Sequence, residues 1–297
     1  VRSCIMISAY YISVVLQRKP DLLHAMAVAA FGILIADTNQ FFDVGFQLSF
    51  VAVFGIFWLN QPILKYLPKP KNNFQNFMVN VVSISIAAQI VTLPLVIFYF
   101  HQYSFISIVA NLIVIPFSEI LIIFSLLMTV LIEFSVQINW LNFIYDQLVT
   151  KALQLIHFFA DLDFAFHRMI PMTLLEMGVA FVVIWFLRFA VKKLSLKNVL
   201  KISYFIILFV ALRFLLNYRA SQISEVLVHH YYKDDIISVK TKDKVQFVLK
   251  GSENMKKIEK FVIEPYLTSR RINTYETEII PDDVRKIVIN GKEYHLK

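Results

Sequence analysis

A chain of 297 residues has room for one large domain or two ordinary ones. Its 58% hydrophobic content and mean hydropathy of +0.64 exclude an ordinary soluble enzyme, for which about 45–50% apolar residues is usual. A net charge of +8 does not by itself point to nucleic acid, because much of the excess sits in loops beside apolar runs, where Lys and Arg mark the cytoplasmic side of a membrane.

Charge is segregated along the chain. Residues 1–219 hold 15 Lys/Arg and 9 Asp/Glu, whereas residues 220–297 hold 14 and 12. The pattern predicts an all-α polytopic membrane bundle over 1–217 and a small soluble α+β tail over 218–297. The bundle is expected to contain about seven to eight spans or half-spans, one of its helices being amphipathic.

In chain order, Ser3–Leu16 reads as a first span and Leu22–Ala36 as a second. The second falls short of the roughly 20 residues an upright crossing needs. The chain opens on Val1 with no initiator Met, which reads as the cut edge of a longer protein. An acidic loop, Asp37–Phe42, leads into DVGFQLSFVAVFGIFWL over 43–59, the run around which the rest is organised; it ends near Asn60-Gln61-Pro62. On a helix Asp43 and Gln47 lie one turn apart, and Gly45, Ser49 and Ala52 form a small-residue strip that lets another helix approach closely. Met78–Phe100 is a further span, with Ser85, Gln89 and Thr92 along one side and an expected break at Pro94. The 104–132 stretch breaks at Pro116 and is either one kinked helix or two half-helices. Broken membrane helices expose backbone groups that protein or water must satisfy, so a wet path is expected near both prolines.

Residues 140–160 differ. Asn142, Asp146, Thr150, Gln154, His157 and Asp161 form a polar stripe, and Leu141, Ile144, Leu148, Ala152, Leu155 and Phe159 an apolar one. Such a helix either lies in the interface or crosses with its polar side on water, as a lumen wall. Two more spans, Met172–Val191 and Asn198–Leu216, flank a basic loop with Arg188, Lys192, Lys193, Lys197 and Lys201. Loops near 18–21, 65–71 and 188–201 are basic, which assigns them to the cytoplasm and the tail to the outer side. In the tail, Glu225–Tyr231, Asp235–Thr241 and Lys244–Leu249 read as strands, Asn254–Tyr266 as helical, and the segments around Asn290-Gly291 as a hairpin with a type I′ turn.

Few residues carry chemistry. Asp43 suits a helix N-cap as well as a passage lining. Gln47, Ser49 and Asn111 suit interhelical hydrogen bonds as well as a polar path. Glu119, Glu133 and Asp146 are ionisable groups in or near apolar segments. Carboxylates repel phosphate, so they do not grip a polyanion. Cys4, the sole cysteine, and the scattered histidines offer no metal or disulfide spacing, and no G-x-x-x-x-G-K-[ST] run occurs. No cofactor and no catalytic residue are expected.

The run DVGFQLSFVAVFGI, with Asp43, Gly45, Phe46, Gln47 and Ser49, resembles the signature of the ComEC competence family of inner-membrane DNA uptake channels. A second match lies in Leu93-Pro94-Leu95, Phe100 and Asn111-Leu112-Ile113-Val114-Ile115-Pro116, and a weaker one in Val1-Arg2-Ser3 with Arg18 and Asp21. The resemblance covers roughly residues 1–190. It implies a multi-pass protein of the bacterial inner (plasma) membrane that passes single-stranded DNA in natural transformation. It further implies a separate DNA receptor, a cytoplasmic ATP-driven motor, contact with membrane lipid, assembly as a homo-oligomer, and earlier helices with an OB-like domain upstream. The metallo-β-lactamase-like domain of many relatives has an H-x-H-x-D-H run, which the tail lacks. A small-solute or ion transporter is the alternative reading, weakened by the absence of paired interrupted helices.

Overall fold

The computed structural model describes residues 2–16, 21–134, 139–162, 166–231, 234–250, 255–281, 286–289 and 292–295. The protein is mostly helical, with a strand-rich C-terminal region. In order come α1 (Arg2–Val15), α2 (Leu22–Ala36), α3 (Val44–Leu64), α4 (Asn73–Phe100), β1 (Tyr103–Ser104), α5 (Ser107–Glu133), α6 (Asn139–Ala160), β2 (Phe166–His167), α7 (Leu174–Lys192) and α8 (Leu196–Gln222). The tail adds β3 (Glu225–Tyr231), β4 (Asp234–Thr241), β5 (Lys244–Lys250), α9 (Met255–Ile258), a π-helical turn (Glu259–Ile263), α10 (Glu264–Arg270), β6 (Thr274–Ile280), β7 (Lys286–Ile289) and β8 (Lys292–His295). The chain divides into two compact units, Val1–His167 with Ile184–Val199, and Arg168–Val183 with Leu200–Lys297.

Among the described residues five helices, α3, α4, α5, α7 and α8, are long and apolar enough to cross a membrane. Their surfaces are largely uncovered, as expected where lipid replaces a protein core; the most apolar window of α8 buries none of its residues. The shorter α1 and α2, of 14 and 15 residues, are apolar too.

Within the first unit α3 and α4 form the tightest helix pair. The Cβ that Gly55 lacks would stand 2.7 Å from Cβ of Val91 and 3.2 Å from the Ala87 carbonyl oxygen. Only a bare Cα admits that approach. The expected strip of Gly45, Ser49 and Ala52 is therefore displaced: the close contact lies one turn further on, at Gly55. Facing it, Ala87, Val91, Pro94 and Leu95 are buried along α4.

The expected break at Pro94 is corrected, since α4 runs through it without interruption; of the two readings open at Pro116, one helix or two halves, α5 is the single helix. Each proline removes one helix hydrogen bond. Every other backbone group in hydrocarbon can still be satisfied only within its own helix, so the helix resumes. Pro62 is likewise inside α3, which outlasts the end expected near Asn60.

In the second unit, β3-β4-β5-β6 make a four-stranded sheet, antiparallel except for the parallel β5–β6 pair. Ile236, Phe247 and Leu249 on one face pack with Ile258, Ile263, Tyr266 and Leu267 from the crossover helices. Ile237 and Val248 on the other face meet Ile287, Ile289 and Tyr294 of the β7–β8 hairpin. Apolar side chains thus alternate between two buried faces. The strands expected at 225–231, 235–241 and 244–249 are present within a residue. The flanks of the expected hairpin pair as Ile289 with Lys292, whereas the Asn290-Gly291 turn itself lies outside the described residues.

Candidate functional site

Asp43 is an N-cap: its carboxylate accepts from the Phe46 amide at 2.9 Å. It is also an ion-pair partner, 2.6 Å from the Arg2 guanidinium, which additionally donates to Gln40 Oε1 at 3.0 Å. A side chain at Gly45 would collide with that guanidinium. The acid and the glycine of the 43–49 run therefore serve one arrangement, an arginine laid across the start of α3. Gln47 continues it, donating to the Phe41 carbonyl at 3.0 Å and accepting from the Tyr99 hydroxyl at 2.8 Å. Phe46 is buried, its ring tilted against Phe50. The Ser49 hydroxyl turns back to the Gly45 carbonyl at 2.6 Å.

A cleft of about 700 Å³ opens beside this start, bounded by Arg2, Gly32, Asp37, Gln40 and Ser49. Asp37 is exposed in the turn between α2 and α3. Hydrogen bonds from Gln40 and from the Asn39 amide hold its carboxyl below the usual carboxylate range, so it stays charged near neutrality.

At this end of α4, just past Tyr99, the chain turns sharply, with His101 in the left-handed region (φ 55°), before entering β1. β1 pairs antiparallel with β2, Tyr103 opposite His167 and Ser104 opposite Phe166. Beneath this turn lies a second cavity of about 330 Å³, lined among others by Gln89, Phe100, Gln102, Tyr103, Ser104 and Phe166. Gln89 donates to Ser107 Oγ at 2.8 Å and accepts from the Tyr103 hydroxyl at 3.2 Å. Burial raises the Tyr103 hydroxyl above its usual pKa, keeping it a donor. Asn111 is half-buried on α5 one turn past Ser107, and Pro116 is half-buried beyond it.

The β1–β2 pairing decides the course of α5 and α6. Ser125 of α5 shares a hydrogen bond with Tyr145 of α6 at 3.0 Å, and the Phe124 and Tyr145 rings stack. Tyr103 with His167, Ser104 with Phe166 and Ser125 with Tyr145 are all centred on the same point of the sequence. Two antiparallel helices of equal rise have this property along their whole length. Helix α6, 22 residues or about 33 Å long, therefore returns alongside α5. Leu141, Leu148, Ala152, Leu155 and Phe159 are buried or half-buried on one face of α6, joined by Tyr145 in place of the expected Ile144, which is exposed. Asn142, Asp146, Thr150, Gln154 and His157 are all exposed, on the face turned away from α5.

The structure thus gathers Asp43, Gly45, Gln47 and Arg2 at the start of α3 and joins them through Tyr99 to the end of α4, beside Phe100. The α6 stripe is a separate surface. Arg2 carried no distinct expectation as a partner of Asp43, because a pairing across 41 positions leaves no local signal.

A buried ionic cluster was also missed in the second unit. Glu176, in the first turn of α7 and fully buried, pairs with Arg271, which also donates to Asn217 Oδ1 at 2.7 Å. Arg213 lies 3.7 Å from the same carboxylate. Glu176 also accepts from the Thr173 amide at 2.7 Å, closing a capping box over Thr173-Leu-Leu-Glu176. That Thr-x-x-Glu spacing was the legible signal. Nearby, Lys240 is buried and its ammonium donates to the Ala220 and Ile223 carbonyls at the end of α8, where the helix dipole favours a cation. Burial lowers the Lys240 pKa, and it also lowers that of His229, which hydrogen-bonds Ser238 at 2.9 Å.

A family model described as "Competence protein" matches residues 1–219. The chain is 26% identical over 164 residues to ComE operon protein 3 of Bacillus subtilis (strain 168), a match covering 54% of this chain and 20% of that relative. The chain thus spans about a fifth of the length of the curated relative it matches. No solved structure matches.

Proposed function

From the premise that this chain belongs to the competence protein family, we propose that it forms part of a membrane conduit for single-stranded DNA in natural transformation, and that it acts without catalysing a reaction. The observation that supports this most is α6 returning antiparallel along a membrane-length helix with a continuous polar stripe on its far side. Five amide, hydroxyl, imidazole and carboxylate groups facing hydrocarbon would each carry a desolvation penalty. Facing water, they form one wall of a wet path. The stripe's carboxylates, Asp146 and Asp161 at its end, do not grip a polyanion, so the wall lets it pass rather than holding it.

Topology agrees with this reading. If α5 crosses, β1–β2 pairing requires α6 to cross back. Residues 101–106 and 166–167 then share one side of the inner membrane. The basic loops at 65–71 and 192–201 share the cytoplasmic side, as the bias of Lys and Arg demands. α1 and α2, too short to cross upright, act as half-spans beside the start of α3. With one polar stripe per chain, the remaining walls come from further copies of this chain or from other segments of a longer protein. DNA is delivered by a separate receptor outside, and force comes from a cytoplasmic ATP-driven motor.

Replacing Asn142, Asp146, Thr150, Gln154 and His157 together by Leu is the test. The variant inserts as well as the native chain, because it is more apolar, yet transformation falls on the order of a hundredfold or more as the wet wall closes. Unchanged transformation at normal expression would sink the reading.

A further inference from the structure

We propose that the cavity under the turn joining α4 to α5 is a nucleobase pocket, which holds one base of the passing strand; the inference rests on the conduit reading above.

The walls carry the argument. Among the described residues lining the cavity none bears a charge, so neither a phosphate nor a carboxylate is the natural occupant. Three aromatic rings, Phe100, Tyr103 and Phe166, bound it, and Phe100 is 52% exposed despite being a large apolar side chain. A flat, neutral π-face is the surface such rings hold best. Polar capacity is left over as well. The Ser104 hydroxyl is shielded from solvent and has no hydrogen-bond partner, so one donor and two lone pairs are unspent. Gln89 uses one amide hydrogen on Ser107 and one lone pair on Tyr103, which leaves a donor and an acceptor side by side. Adjacent donor and acceptor groups beside stacking rings match the edge of an unpaired base. The volume of about 330 Å³ lies at the small end of the ~300–1,000 Å³ typical of ligand pockets and has room for a flat base.

The position suits the role. The pocket lies at the end of the α5–α6 pair, where β1 and β2 pair across it. Base stacking there is sequence-tolerant, as transport of arbitrary DNA requires.

The experiment uses the full chain in lipid nanodiscs with two probes, an oligothymidylate and an abasic strand of the same length and charge. The thymidylate strand binds about tenfold more tightly or better. Phe100→Ala and Ser104→Ala, which remove a half-exposed ring and an unpartnered hydroxyl, bring it down toward the abasic strand and leave abasic binding unchanged. A strand carrying 5-iodouracil crosslinks on irradiation to the segment holding Phe100 and Tyr103, or to Phe166. Equal binding of the two probes to the native chain overturns the pocket while leaving the conduit standing. A base preference that survives both substitutions, or crosslinks confined to other segments, also overturns it. Failure of both strands to bind overturns the pocket and the conduit together.

Discussion

Glu176→Ala is expected to destabilise the second unit by about 3–5 kcal/mol, among the largest effects of any single change in the chain. The carboxylate is fully buried and answers Arg271, Arg213 and the Thr173 amide at once. Removing it strands the Arg271 guanidinium, itself only 6% exposed, without its countercharge. It also opens the capping box that starts α7. Glu176→Gln keeps the shape and the acceptor but not the charge, so it lies between the native chain and Glu176→Ala. Pairing Glu176→Leu with Arg271→Met removes both charges, and such exchanges of a buried pair for apolar groups are often close to neutral. The double variant is therefore expected to recover much of the loss. Hydrogen exchange of the β3–β6 amides in the full chain measures each step. Full native protection in Glu176→Ala would show that the cluster does not hold the tail.

Gly55→Leu is expected to separate α3 from α4. Val91 Cβ stands 2.7 Å from the first carbon any side chain would add, and Val91 is buried with Ala87 and Leu95 behind it. Backbone lies at 3.2 Å on the same side, so the contact cannot be relieved by rotating one flexible group. Overpacking of a filled core costs about 1–3 kcal/mol, and here it falls on the best-packed pair of membrane helices. The hydrogen bond from Ser83 to Asn60 Oδ1 at 2.5 Å and that from Tyr99 to Gln47 at 2.8 Å span the same pair and would be strained with it. Gly32→Ala is the control, because nothing lies within 4 Å of its missing Cβ. Thermal unfolding of purified chain in detergent should show a clear drop for Gly55→Leu and none for Gly32→Ala. Equal melting of both would remove Gly55 from the account.

Much of this arrangement was legible in the sequence where the signal is local. The limits of α2 follow from an apolar run bounded by Asp21 and Asp37, both of which cap backbone amides. The strands β3, β4 and β5 follow from β-branched runs between polar turns. Elsewhere the decisive information is not local. Pro94 and Pro116 read as breaks because proline usually ends a helix in water; in a chain whose surroundings offer no other hydrogen-bond partner, the helix continues. The strip at Gly45, Ser49 and Ala52 obeys the right spacing, but which small residue meets the neighbouring helix depends on how α4 is rotated. β6 was missed because six of its seven residues are exposed, leaving no inward–outward alternation to detect. The ion pairs Arg2–Asp43 and Glu176–Arg271 join residues far apart in the chain, and single-sequence periodicity carries no trace of them.

The central claim is that α6 crosses the membrane with its polar stripe on water. Single cysteines at Asn142, Asp146, Thr150, Gln154 and His157, in a Cys4→Ser background, should all react with a charged, membrane-impermeant maleimide in native vesicles. Cysteines at Leu148 and Leu155, on the face packed against α5, should stay silent. Silence along the whole stripe in correctly inserted protein would contradict the account.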